Sequence, residues 1–159
     1  MTKPIPEGYR SVTPSFTFKD SQKAIDFYKK AFGAKVLDLF PNLSGKGIMH
    51  ATLQIGDSIL MMGDEMPDNE KCGKSAETLG SSPISLFVYV QDADASFKQA
   101  IAAGGKETMP VMDMFWGDRA GSFKDPFGYS WMIATHKRDM TKDQIKKEAE
   151  SFFAQMAKK

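Results

Sequence analysis

The chain has 159 residues, 42% of them hydrophobic, which suits one globular domain or two small modules sharing an interface. Its 21 Lys and Arg nearly balance 20 Asp and Glu, so there is no global basic field to point to nucleic acid, and no stretch nears the roughly 18 apolar residues of a membrane span. The lone Cys72 excludes an internal disulfide and a multi-cysteine zinc site, and fits a reducing, cytoplasmic setting.

Met1 to Tyr9 is polar and carries no apolar signal-like run. Val12 to Phe18 then alternates, with Val12, Pro14, Phe16 and Phe18 on one face and Thr13, Ser15 and Thr17 on the other, the period of a half-buried strand whose proline marks an irregular start. From the N-cap Asp20, residues Ala24, Ile25, Phe27, Tyr28, Ala31 and Phe32 recur at helical spacing until Gly33 stops the helix. Lys35 to Phe40, Ile48 to Ile55 and Ser58 to Met62 read as strands, the last two joined by a Gly56-Asp57 hairpin turn.

The same order returns further along. Ile84 to Val90 reads as a strand, Ala93 to Ala103 as a helix stopped at Gly104-Gly105, Glu107 to Met112 as a strand, Phe115 to Phe123 as a hairpin region and Ser130 to Thr135 as a final strand. A shift of 72 (92 minus 20, 128 minus 56) lays Asp20 on Asp92, Gly33 on Gly105, Gly56 on Gly128 and Ser58 on Ser130 without a gap. The expected fold is α+β: two tandem βαβββ modules, 12–62 and 84–135, forming curved mixed sheets around a cleft within a single domain, 1–159. The polar, period-less stretch 63–83 is the linker. Over 141–158 a further helix opens with a Thr141/Gln144 capping box and carries the apolar stripe Ile145, Ala149, Phe152, Phe153 and Met156.

With this repeat, the run Phe27-Tyr28-Lys29-Lys30-Ala31-Phe32-Gly33 and the run Asp125-Pro126-Phe127-Gly128-Tyr129, the chain resembles the vicinal oxygen chelate superfamily of glyoxalase I, extradiol dioxygenases and bleomycin and fosfomycin resistance proteins. Phe115-Trp116-Gly117-Asp118-Arg119 and Ala134-Thr135-His136, followed by a terminal helix, are similar to its PhnB-like branch. Some members of that branch are labelled methyltransferases, but no Gly-rich nucleotide-binding loop follows a strand here. The resemblance implies a homodimer and a divalent ion held by His or Glu on the concave side of the sheets. Carried over, the metal positions are Thr13, Leu60 (Met61 if the hairpin slips by one), Ser85 and Met132. Two hydroxyls and two apolar side chains do not supply the donors such an ion needs, so no metal and no other cofactor is expected there. A relocated metal site remains the alternative, formed by both histidines with Asp64, Glu65 or Asp118.

His50 shares its strand face with Thr52 and Gln54 and is placed toward the cleft, either as a structural histidine or as a ligand contact or general base. His136 lies near the cleft mouth or on the surface. Phe87 and Tyr89 face the concave side, and Phe115 and Trp116 call for a cover. Arg119 either shapes its turn through an ion pair or holds an anionic group. The ligand-contact candidates are His50, Phe87, Tyr89, Trp116, Arg119 and Met132, with His50 the candidate catalytic group. Two functions stay open: a protein that binds a small organic molecule in the cleft, or a lyase, isomerase or dioxygenase-like enzyme working through His50 or a relocated metal.

Overall fold

A computed structural model describes residues 3–66 and 73–156, the side chain of Met156 excepted. Cys72, part of the linker and the Met156 end of the terminal stripe lie outside the described residues. Module one runs β1 (Ser15–Phe18), α1 (Ser21–Phe32), β2 (Lys35–Pro41), β3 (Ile48–Ile55) and β4 (Ser58–Asp64). A one-turn helix, α2 (Ala76–Leu79), precedes β5 (Ser85–Tyr89), α3 (Ala93–Ala102), β6 (Lys106–Asp113), β7 (Asp118–Lys124) and β8 (Ser130–His136) of module two, and α4 (Lys142–Met156) ends the chain. The fold is the α+β pair of βαβββ modules expected.

Local chemistry sets the boundaries. The Asp20 carboxylate accepts from the backbone N–H of Lys23, and Gly33, at φ 64°, turns the chain out of α1 in the left-handed conformation that suits glycine. Asp92 caps α3 in the same way through Ala95. The first strand starts later than its alternation predicts: Val12 is 84% exposed, and Pro14 contributes only its carbonyl, which accepts from Met61 N–H. Within 63–83, β4 continues to Asp64, and α2 is capped by Ser75, whose N–H is held by Glu65 at 2.9 Å. A single turn is too short to show a period. The Thr141/Gln144 capping box forms reciprocally, at 2.8 and 3.3 Å, and Phe152 and Phe153 each sit 5.6 Å from the Phe115 ring.

Each module makes a four-stranded sheet, in the orders β1-β4-β3-β2 and β5-β8-β7-β6, with the first strand parallel to the last and the others antiparallel. The pairing corrects the gapless repeat. Ser15 pairs with Met61, and its counterpart Phe87 pairs with Met132, so the offset falls from 72 (87 minus 15) to 71 (132 minus 61). Met61 pairs with Thr52 and Met132 with Ser122, an offset of 70 (122 minus 52). The longer Asp125–Tyr129 turn absorbs the difference. Met61, not Leu60, is therefore the equivalent of Met132.

The two modules share one core. Phe16, Phe18, Leu53, Leu60 and Met62 of the first sheet join Phe123, Trp131 and Ile133 of the second around α1 and α3. The helix-bearing faces of both sheets thus turn inward, and their opposite, open faces lie outside this core. Asp125 locks the joint. It is 3% exposed and accepts four hydrogen bonds, from Tyr28 Oη (2.7 Å), Trp131 Nε1 (2.9 Å) and the backbone N–H groups of Phe127 (3.0 Å) and Tyr129 (2.9 Å). Tyr129 Oη in turn donates to the carbonyl of Thr17 across the joint at 2.8 Å.

Candidate functional site

The β6–β7 turn brings the Phe115–Arg119 run onto the end of β8. Met114 N–H donates to the Asp118 carbonyl and Gly117 N–H to that of Met114, while Lys137 and Arg138 N–H groups converge on the Gly117 carbonyl at 3.1 and 3.0 Å. Gly117 has φ 101°, and a Cβ there would run into the Arg138 carbonyl, so glycine is needed for the closure. The turn sets Asp118 directly across from His136.

Asp118 is the hub of this end. It is 3% exposed and accepts from His136 Nδ1 (2.7 Å), Trp116 Nε1 (2.8 Å) and Tyr89 Oη (2.9 Å). Burial raises the carboxyl pKa, but these three donors outweigh it and hold the group below its ordinary value. On its far side His136 Nε2 meets Asp139 at 3.0 Å. With a carboxylate at each nitrogen, the arrangement favours the protonated ring, which can donate from both. Its pKa is raised first by Asp118 and then by Asp139. The Tyr89 phenol is likewise pushed up, chiefly by its hydrogen bond to Asp118.

Around the hub, the open face of module two is apolar. Met114, Ala120 and Ala134 are buried there against Met109, Met112, Trp116 and Met132. Phe87 and Tyr89, paired with Met132 and Ala134, lie 5.0 Å apart and are 47% and 63% exposed. Four of the candidate contacts, Phe87, Tyr89, Trp116 and Met132, therefore share this sheet face.

Arg119 does not. Alternation along β7 turns it to the helix side, where it forks onto Asp94 of α3 at 2.6 and 2.7 Å and reaches Asp113 at 3.3 Å. This pair pulls Asp94 below and pushes Arg119 above their ordinary values. Its ion-pair partners are Asp94 and Asp113, not its neighbour Asp118. His50 lies on the open face of the other sheet, half-buried, with Nε2 3.1 Å from Thr52 Oγ1. Tyr9, which no periodicity singles out, brings its hydroxyl to 3.4 Å from the same Thr52 oxygen. Together they leave Thr52 2% exposed.

The metal positions implied by the fold do not fit an ion. With Met61 replacing Leu60, the set is Thr13, Met61, Ser85 and Met132, which offers two hydroxyls and two thioethers. Among the described residues no three His, Cys, Asp or Glu side chains are grouped to hold a metal. Asp64 is taken by the N–H groups of Ser21 and Ile48, at 2.6 and 2.8 Å. Glu65 is taken by Ser75 N–H and Thr78 Oγ1, at 2.9 and 2.7 Å. Asp118 and Asp139 sit at opposite nitrogens of one ring, and the two histidines lie on different sheets.

A cleft of about 1110 Å³ follows the free edge of β5 between the modules. Phe87, Tyr89, Gln91 and His136 of module two line it together with Arg10 and Thr13 from the segment before β1. Among the described residues no helix is long and apolar enough to cross a membrane.

Comparison with known proteins agrees with this architecture. Residues 13–133 match the Glyoxalase/Bleomycin resistance protein/Dioxygenase superfamily. An uncharacterized protein of Mycobacterium bovis is 36% identical over 138 residues, covering 85% of this chain and 89% of that protein. Among solved structures, TioX from Micromonospora sp. ML1 superposes with a TM-score of 0.64 at 26% identity, over 80% of this chain and 98% of its own. A PhnB protein from Bacillus cereus shares the fold, with a TM-score of 0.61 at 18% identity over 79% and 99% of the two chains. Sequence match, paired βαβββ modules and sheet order together make this chain a member of the glyoxalase/bleomycin resistance protein/dioxygenase superfamily.

Proposed function

We propose that the protein binds a small aromatic or amphipathic organic molecule against the open face of module two, without a metal, and that a second copy of the chain completes the enclosure. The observation that carries this reading is the bare aromatic pair Phe87 and Tyr89, 47% and 63% exposed, beside the methionine-rich cluster of Met109, Met112 and Met132. Flat rings and pliable thioethers suit varied apolar ligands. Exposed Phe40 and Met49 on module one add apolar surface for a homodimer to cover. The metal-free assignment rests on the hydroxyl and thioether donors at the inherited positions. An enzyme working through His50 has less support, because the hydrogen-bond partner found for its ring is the hydroxyl of Thr52 and no carboxylate is found among the described residues to orient it.

Trp116 lies in the apolar cluster and Trp131, 1% exposed, borders the cleft, so quenching of tryptophan fluorescence by a panel of planar aromatic compounds reads binding, and substitution on this face locates it. Phe87→Ala is expected to weaken a hit by about tenfold, the loss of one stacked ring. An affinity unchanged by that substitution sinks the assignment of the face. Light scattering tests the second copy: a monomer at high concentration removes it.

A further inference from the structure

His136 is held unequally at its two nitrogens. Nδ1 donates to Asp118, a carboxylate 3% exposed and fixed by two further donors. Nε2 donates to Asp139, whose side chain is fully exposed in the β8–α4 connection. An exposed pair of this kind contributes little and exchanges readily. The ring also lines the cleft, beside Phe87 and Tyr89.

We propose that His136 Nε2 anchors the carboxylate of an aromatic acid whose ring lies on Phe87 and Tyr89, and that Asp139 occupies this anchor in the free protein as an internal stand-in for the ligand. The inference rests on the binding reading above and adds the ligand's class. Exchange of one carboxylate for another conserves charge at the ring: the imidazolium keeps Asp118 on one side and a single anion on the other. The hydroxyl of Tyr89 is tied to the same Asp118, so the aromatic shelf and the N–H donor are set in position by one buried group before any ligand arrives. Arg10, which also lines the cleft, adds positive potential. One N–H donor fits a carboxylate; a phosphate would present more acceptors than this anchor satisfies.

Calorimetric titration with 2-naphthoate and with 2-naphthamide, its neutral analogue, tests the inference in the full chain. The wild type is expected to favour the carboxylate by about tenfold. His136→Gln should abolish that preference, bringing the ratio of the two affinities to about one. Asp139→Ala, which removes the stand-in from an exposed position, should tighten naphthoate by about threefold. Equal binding of the two compounds by the wild type overturns the carboxylate anchor while the binding reading stands. Failure of both to bind overturns the two together. An Asp139→Ala protein that binds naphthoate no better than wild type removes the stand-in, whatever becomes of the His136→Gln variant.

Discussion

The two modules share a fold and a core but finish their open faces differently. In module one, Tyr9 and His50 close over Thr52, and the nearby side chains Ser15, Thr17 and Gln54 are polar. In module two the aromatic pair Phe87 and Tyr89 stands exposed beside the Asp118 hub. The helix entrances differ too. Asp64 of β4 accepts from the first N–H of α1, whereas the equivalent residue in β8, Thr135 (offset 71, 135 minus 64), accepts from the first N–H of α3. Equivalent backbone needs are met by a carboxylate in one module and a hydroxyl in the other. The duplicated scaffold therefore fixes where polar groups are required, while the residue types decide which face is left free for a ligand.

The largest contrast lies at the β-hairpin turns before the last strands. Asp125 in module two is buried and holds four donors, one of them on α1 of module one, while Asp57 in the matching turn is exposed and accepts from its neighbour Ser58. Burial raises the Asp125 pKa, and the donors pull against that shift. Asp125→Ala leaves those donors without an acceptor and is expected to cost about 4 kcal/mol, a fall in Tm of roughly 10 °C. Asp57→Ala should stay within about 0.5 kcal/mol. Urea denaturation of the two variants decides the matter: similar losses would mean that module two's turn is no more a keystone than module one's.

The hub makes module two the pH-sensitive half. His136 has its pKa raised above 6.5, so its contribution to stability is complete below pH 6.5 and is lost as pH rises through the folded-state value. Asp118 is lowered from 3.8; its contribution is present above pH 3.8 and disappears as pH falls through the folded-state value. The hub is thus strongest between these limits. His136→Gln should flatten the decline in stability that sets in as pH rises above 6.5, and Asp118→Asn should return the His136 titration toward its ordinary value. With two histidines in the chain, an NMR titration resolves them. A His136→Gln protein with the wild-type alkaline slope would show that the hub does not set it.

Much of this arrangement is legible in the sequence because it is periodic or local. Helical spacing after Asp20 and Asp92, alternation in Val12 to Phe18 and the Thr141/Gln144 box each follow from neighbours on one segment. The helix-lined core and the shared face of Phe87 and Tyr89 follow from the same periods. The Asp118 hub is not legible, since it joins residues 89, 118 and 136 from three strands and 116 from a turn and depends on a β7–β8 register that the longer Asp125 turn shifts. One signal was available: adjacent residues on a strand face opposite ways, so Asp118 and Arg119 could not both look into the cleft. Tyr9 lies in a segment without periodicity, and its partner is 43 residues away.

His50 supplies the smallest and finest test of the contrast. Its ring is half-buried and bonded to Thr52, whose hydroxyl also has Tyr9 within reach. His50→Ala is therefore expected to lower stability by about 0.5–1 kcal/mol, the net value of one such bond. It should leave the affinity for an aromatic ligand within about twofold, because the cleft lined by Phe87, Tyr89 and His136 does not include it. A tenfold loss of affinity at unchanged stability would reverse that expectation. Since His50 lies on the other sheet of its own chain, such a loss would mean that the module-one face of a second copy closes over the ligand. Mixing His50→Ala with Phe87→Ala protein then separates the cases: if the sites are shared between subunits, mixed dimers regain one intact site, and if each site lies within one chain, mixing restores nothing.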